Sequence, residues 1–365
     1  MTMGFISEGK TIEPLVPALF IFGDSLADAG NNNNLTTLAK ANYLPYGRDF
    51  PGRIPTGRFS NGFNAMDFLS FKLGLPLIPI YADPNTKGEN LLKGVNYASG
   101  ASGIENYSGR ISKCIPHLYE CYVKGEVIPL KDQIQNFIKT TEEIFQTIGK
   151  EGANRLLSKA VFYIITAHND WLNTYYSLLS PLPELYNEYE YRDNLISKLL
   201  KQVERLYSNG ARNIVVAGLS AIGCIPSQLN KYNSNGSCID FLNKVAIDYN
   251  KVLRLKLREL NNQLPDSTIL FNNMYIPLYD AFHNPAAFGF KYVNQACCGI
   301  GKFGGFLICT PEYPVCRNEE DYMFWDAYHP TDKMLKQMVD LLWENGPPYS
   351  YPVSGKQAIQ RIIRH

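Results

Sequence analysis

Phe20-Ile21-Phe22-Gly23-Asp24-Ser25-Leu26 sets a serine directly after a short apolar run that stops at a tight turn, and Ala27-Asp28-Ala29-Gly30-Asn31-Asn32 follows. Ligands of open α/β sheets gather at the carboxyl ends of strands, so a serine there presents its hydroxyl to a cleft. Far along the chain, Phe324-Trp325-Asp326-Ala327-Tyr328-His329-Pro330-Thr331 holds a carboxylate and an imidazole three residues apart, near enough for one turn to join them. A serine nucleophile needs a base, and the base needs an acceptor on its other ring nitrogen. Pro330 ends that turn and Thr331 is suited to cap a following helix. In Tyr163-Ile164-Ile165-Thr166-Ala167-His168-Asn169-Asp170-Trp171 polar residues again follow an apolar strand. The Asn169 amide there can donate to a developing oxyanion, or cap a helix. The run from Asn96 to Gly103 offers backbone N–H groups for the same oxyanion, or is a plain turn. Each feature alone has a bland structural reading.

These residues need a scaffold. Apolar runs at 15–22, 94–98, 160–166, 213–219 and 268–271 read as strands. Helical spacing covers 64–73, 130–148, 193–208, 241–260 and 331–344, and 38–62 is loop-rich. Strands alternating with helices predict an α/β chain whose parallel sheet is covered on both faces. No repeat or charged linker divides the sequence, so one domain over 15–350 is expected, with a disordered segment at 1–14 and a tail at 351–365. Of the 365 residues 45% are hydrophobic and 19% charged, which excludes a disordered chain. Net charge is +1 and no polybasic run occurs, which argues against nucleic acid as a partner. No apolar run of about 18 residues exists, so no membrane span is expected.

The eight cysteines lie in Gly-, Pro- and Asn-rich surroundings and no C-x-x-C pair occurs, so disulfides in an oxidising compartment are preferred over metal binding. Cys114–Cys121 and Cys224–Cys238 are the local pairs expected. Cys297, Cys298, Cys309 and Cys316 should pair among themselves, with Cys297 and Cys298 not told apart. Sequons at Asn34, Asn106 and Asn235 agree with a secreted or vacuolar glycoprotein. Residues 1–13 contain no apolar h-region, so secretion is expected only with a signal already removed.

Taken together and in order, these blocks resemble the GDSL esterase/lipase family, the plant branch of the SGNH hydrolases. Gly23-Asp24-Ser25-Leu26 is similar to its namesake block, and Arg58-Phe59-Ser60-Asn61-Gly62 and Asn96-Tyr97-Ala98-Ser99-Gly100 resemble the next two. Asn169-Asp170 and Asp326-Ala327-Tyr328-His329 match the Asn and Asp-x-x-His blocks. The resemblance implies a flavodoxin-like three-layer α/β/α sandwich and hydrolysis of carboxylic esters through an acyl-enzyme, with neither metal nor cofactor. It implies Ser25 as nucleophile, His329 as base then acid, and Asp326 as orienter. The oxyanion would lie among the Ser25 N–H, the Asn169 side chain and an N–H of the Gly100-Ala101 turn, which either residue could supply and which is taken as that of Gly100. An acyltransferase with the same triad, passing the acyl group to an alcohol acceptor instead of water, is the first alternative. A catalytically silent binding protein is the second, disfavoured because every triad position is intact.

The chain departs from the family twice. Ala167-His168 stands where Gly-Gly usually precedes Asn-Asp, and Gly100-Ala101 where the earlier turn has Gly-Gly. A backbone donor survives Gly-to-Ala if φ stays negative. His168 would add a ring beside the oxyanion site, either binding a polar substrate group or merely packing. Gly299-Ile300-Gly301-Lys302-Phe303-Gly304 spells a dinucleotide fingerprint but follows two cysteines and opens no helix, so no nucleotide role is expected. Gly218-Leu219-Ser220 lacks the last glycine of a nucleophile elbow, and His117, His283 and His365 are read as structural.

Overall fold

The structure is a computed structural model that describes residues 13–109, 114–115, 120–121, 125–177 and 180–364. Of 114–115 and 120–121 only the backbone is described, and His117 and His365 lie outside the described residues.

The apolar runs form the strands that their composition predicts. In chain order the main elements are β1 (Leu19–Gly23), α1 (Ala65–Lys72), α2 (Leu130–Lys159), β2 (Val161–Ile165), α3 (Glu188–Ser208), β3 (Asn213–Ala217), α4 (Asp240–Gln263), β4 (Thr268–Asn272) and α5 (Tyr275–His283). They continue with β5 (Tyr292–Ala296), β6 (Tyr322–Phe324), α6 (Asp332–Glu344), β7 (Ser350–Tyr351) and α7 (Gly355–Arg364). The central sheet runs β1-β2-β3-β4-β7; its first four strands are parallel and β7 closes the edge antiparallel. β1 and β2 are buried along their whole length, as expected for a sheet covered on both faces. α2, α3 and α4 pack as one layer, and α1, α6 and α7 as the other. The fold is the three-layer α/β/α sandwich expected. Among the described residues, no helix is long and apolar enough to cross a membrane.

The run at 94–98 lies beside β1 as a parallel edge. Ile21 N–H donates to Val95 O and Tyr97 N–H to Ile21 O. α2 extends past 148, with non-helical backbone at Gly149 inside it. α3 begins five residues before the expected 193, because Asn187 and Glu190 form a capping box. The segment read as a tail carries α7, which buries Ala358 and Ile359.

Cys224–Cys238 pair as expected, and the late cysteines pair as Cys297–Cys316 and Cys298–Cys309. Cys114 and Cys121 are register partners in a two-residue antiparallel ladder, but their side chains lie outside the described residues. Asn34, Asn106 and Asn235 are all exposed.

Candidate active site

The carboxyl ends of β1, β2 and β3 lead into three turns that meet over a cavity of about 870 Å³. At the end of β1 the chain must turn within one residue. Gly23 has φ +151°, and a Cβ there would stand 2.0 Å from the Ile165 carbonyl oxygen, so only glycine fits. The buried Gln133 side chain of α2 locks this corner, accepting from Gly23 N–H and donating to Gly23 O, both at 2.8 Å. Ser25 follows, half-buried at the cavity wall.

Ser25 Oγ lies 2.7 Å from His329 Nε2, across 304 residues of sequence. On the other side of the ring, His329 Nδ1 is 2.8 Å from both carboxylate oxygens of Asp326. Asp326 Oδ1 also accepts the backbone N–H groups of Tyr328 and His329, which folds the three-residue spacing into a closed turn. Burial opposes the Asp326 charge, but the neighbouring His329 and the donated hydrogen bonds outweigh it and hold this carboxyl below the usual carboxylate range. An ionised Asp326 accepts only, so Nδ1 carries the proton and Nε2 is left to take one from Ser25. The arrangement can generate a serine alkoxide equivalent at neutral pH. Phe59, from the Arg58–Gly62 block, packs on the imidazole with centroids 5.0 Å apart.

Sequence reading missed Tyr46. This buried residue donates from Oη to Asp326 Oδ2 at 2.5 Å, and its ring packs against Phe59 and Trp325. Burial beside Asp326 pushes its own phenol well above the usual range, so it remains a donor. Nothing in its sequence surroundings, a Pro- and Gly-rich loop, marks it. Tyr46→Phe keeps the ring and removes one hydrogen bond to a buried charge, a contact worth about 1.5–3 kcal/mol. We expect kcat to fall about tenfold, taking part of that energy to be felt at the transition state, with KM nearly unmoved and the unfolding midpoint lowered, because Asp326 Oδ2 loses a buried donor. A wild-type kcat would reduce Tyr46 to packing.

Three donors face the cavity near Ser25. Among the described residues the Ser25 and Ala101 N–H groups have no acceptor, and Asn169 Nδ2 spends one hydrogen on Ser102 O at 3.0 Å, leaving the other. Gly100, the donor expected from sequence, is not available: its N–H is donated to Asp28 Oδ2 at 2.8 Å, and Ala101 rather than Gly100 lines the cavity. Asp28 is fully buried and also accepts from Gly30 and Asn31, tying the Ser25 turn to the Gly100 turn. Burial raises its carboxyl to about 6 against those backbone donors. Asp170 plays the matching part on the far side, accepting from Ile104 N, Glu105 N and Ser108 Oγ.

Both departures from glycine sit in left-handed backbone, Ala101 at φ +63° and Ala167 at φ +83°. The condition that φ stays negative is not met, so each alanine costs about 1–2 kcal/mol of strain. Part of the gain from glycine is lost to unfolded-chain entropy. Ala101→Gly and Ala167→Gly should each stabilise the protein by about 0.5–1 kcal/mol, seen as a higher urea midpoint at constant slope. A lower midpoint for both would contradict the strain assignment.

His168 does not offer a donor to the cavity. Its Nε2 accepts from Ser220 N–H at 3.1 Å, and its Nδ1 faces the buried Asp24 Oδ2 at 3.6 Å. His168 lines the cavity, but both nitrogens are turned to protein, which favours the packing role over the binding of a polar substrate group. The ring instead lies between the Asp24 carboxylate of the Ser25 turn and Ser220 of the turn after β3. His283 Nδ1 lies 2.9 Å from Tyr279 O, as a structural residue would. The glycine-rich 299–304 run forms no α-helix; Lys302–Gly304 is a single 3₁₀ turn.

The pattern that defines the family described as "GDSL-like Lipase/Acylhydrolase" matches residues 19–342. GDSL esterase/lipase 7 of Arabidopsis thaliana is 39% identical over 355 residues, covering 95% of this chain and 93% of the relative. A second Arabidopsis thaliana GDSL esterase/lipase is 38% identical over 356 residues, covering 95% of this chain and 87% of its own. A third is 36% identical over 349 residues, covering 94% and 88%.

Proposed function

Since this chain belongs to the GDSL-like lipase/acylhydrolase family, we propose that it hydrolyses carboxylic esters through a covalent acyl-enzyme on Ser25. The observation that carries the reading is the unbroken Ser25–His329–Asp326 chain of contacts at 2.7 and 2.8 Å. Ser25 Oγ attacks the ester carbonyl as His329 Nε2 takes its proton, and Asp326 holds the resulting imidazolium. The tetrahedral oxyanion falls among the Ser25 N–H, the Ala101 N–H and the free hydrogen of the Asn169 amide. His329 then returns the proton to the departing alcohol, and water, activated by the same imidazole, releases the acid.

The same residues would serve transfer to an alcohol. With both His168 nitrogens turned to Asp24 and Ser220, this ring offers no group that would favour an acceptor alcohol over water. We therefore place hydrolysis first. Product analysis on a panel of esters, with and without alcohols, tests this: free acid should dominate throughout, and an ester product dominating with an added alcohol would reverse the assignment.

We further read 15–350 as one hydrolase domain that works in an oxidising, secreted or vacuolar setting. Three disulfides among the described residues support that location, as do exposed sequon asparagines at 34, 106 and 235, read as glycosylation sites.

A further inference from the structure

We propose that Tyr232 and Phe241 form an aromatic seat for the first sugar of an N-linked glycan on Asn235, so that this glycan is part of the folded surface and stabilises it. The proposal rests on the reading of Asn235 as a glycosylation site and goes beyond it by naming what the sugar touches.

Asn235 opens Asn235-Gly236-Ser237, and Tyr232 stands three positions before it. Neither other sequon has an aromatic at that spacing, since Asn31 precedes Asn34 and Gly103 precedes Asn106. Tyr232 ends the short helix Pro226–Lys231, and the chain reverses there. Asn233, at φ +48°, donates its N–H to Asn230 O, and Ser234 donates to Leu229 O, the paired bonds of a Schellman stop. Three residues span at most about 10 Å even when extended, so a sugar on Asn235 lies within reach of the Tyr232 ring. Ser234 Oγ accepts the Gly236 N–H at 3.0 Å, Asn294 Nδ2 donates to Gly236 O at 3.3 Å, and Lys302 Nζ donates to Asn233 Oδ1 at 2.8 Å. The anchor is therefore a fixed turn, and Cys238, bonded to Cys224, follows it directly. The loop so closed contributes Ile225 to the cavity wall.

Both partners of the contact are available. Asn235 is exposed; its Oδ1 accepts the Ser237 N–H at 3.2 Å, and Nδ2, the atom that takes the sugar, has no acceptor among the described residues. Tyr232 is 37% and Phe241 43% exposed, and their rings meet at right angles with centroids 5.2 Å apart. Lys231 Nζ covers Tyr232 from one side, 5.2 Å from the ring centre. N-acetylglucosamine has a face of C–H bonds and an acetamide methyl, both weakly positive, whereas the face of an aromatic ring is negative. Sugar and rings attract each other and leave water together. The covalent link three residues away gives this occupant a high effective concentration that no free ligand has. The fixed turn keeps the ordering cost small.

The test uses the full chain secreted from a eukaryotic host, with occupancy of Asn235 read by peptide mass spectrometry and stability by urea unfolding with disulfides intact. Asn235→Gln should raise the unfolding equilibrium constant at fixed urea about fivefold, the scale of a single aromatic contact. In a Tyr232→Ala background the same change should raise it less than about twofold, and this double-mutant cycle isolates the contact. Tyr232→Leu replaces Tyr232→Ala if that variant does not fold, and Tyr232→Phe, which keeps the ring, should retain the full effect. Enzymatic trimming of the wild-type glycan to its first N-acetylglucosamine should leave the midpoint where it is. Equal effects of Asn235→Gln with and without the Tyr232 ring, or a midpoint lost on trimming to one sugar, overturn the seat and leave the glycosylation reading standing. An Asn235 that emerges unmodified overturns both.

Discussion

Ser25→Ala is expected to lower ester turnover by on the order of 10⁴- to 10⁶-fold, because the hydroxyl is the sole covalent centre of the proposed reaction. The residual rate comes from the oxyanion donors and substrate binding, which the change leaves in place. Ser25 is half-buried, its backbone N–H has no acceptor among the described residues, and its Oγ contacts His329 at the cavity wall. Removing that oxygen creates no core cavity and strands no buried carboxylate, so the unfolding midpoint should stay where it is. A serine-directed phosphonate supplies the complementary measurement. It should label the wild type on Ser25 alone and leave Ser25→Ala unmodified. Label on another serine, or turnover within tenfold of wild type, would remove Ser25 from the mechanism.

His329→Ala should cost nearly as much, since triad members act as one unit, and Asp326→Asn should cost less, on the order of 10³- to 10⁴-fold. The difference follows from what an amide can accept. Asp326 Oδ1 takes the N–H groups of Tyr328 and His329, and Oδ2 takes the Tyr46 hydroxyl, while both oxygens lie within 2.8 Å of His329 Nδ1. In Asp326→Asn the remaining oxygen is held by the two backbone donors. The new NH₂ then faces His329 Nδ1, which must give up its proton to accept. The ring proton moves to Nε2, the atom that has to receive the Ser25 proton, so the tautomer is wrong although the geometry survives. Steady-state kcat/KM for one ester, measured for both variants, checks the order. Equal activity in wild type and Asp326→Asn would count against the orienting role.

Several features of the site were readable because the interactions that build them are local. The Asp326–His329 spacing predicts its own turn, which Asp326 Oδ1 closes by accepting from residues two and three positions on. The Asn187–Glu190 capping box was equally local and was overlooked, which is why α3 starts earlier than expected. The sequence does not separate Gly100 from Ala101 as oxyanion donor, because the Gly100 N–H is spent on Asp28, 72 residues away in sequence. The sign of φ at Ala101 and Ala167 was equally out of reach, because alanine ordinarily prefers negative φ and only the surrounding turns force it over. His168 stood in the right turn, but the direction of its nitrogens was decided by Ser220 and Asp24.

The sequence by itself determined the alternation of buried strands with helices, the serine at the first strand end, the paired carboxylate and imidazole, and the family to which those blocks belong. Each is encoded within a few residues, where periodicity and turn chemistry act. Tertiary structure alone decided which groups far apart in sequence share protons and which of the late sulfurs share bonds. It joined Ser25 to His329 across 304 residues and Tyr46 to Asp326 across 280, and paired Cys297 with Cys316 and Cys298 with Cys309. A hydrogen-bond partner is selected by distance and direction in space, and neither quantity is fixed by separation along the chain until the sheet brings the strand ends together.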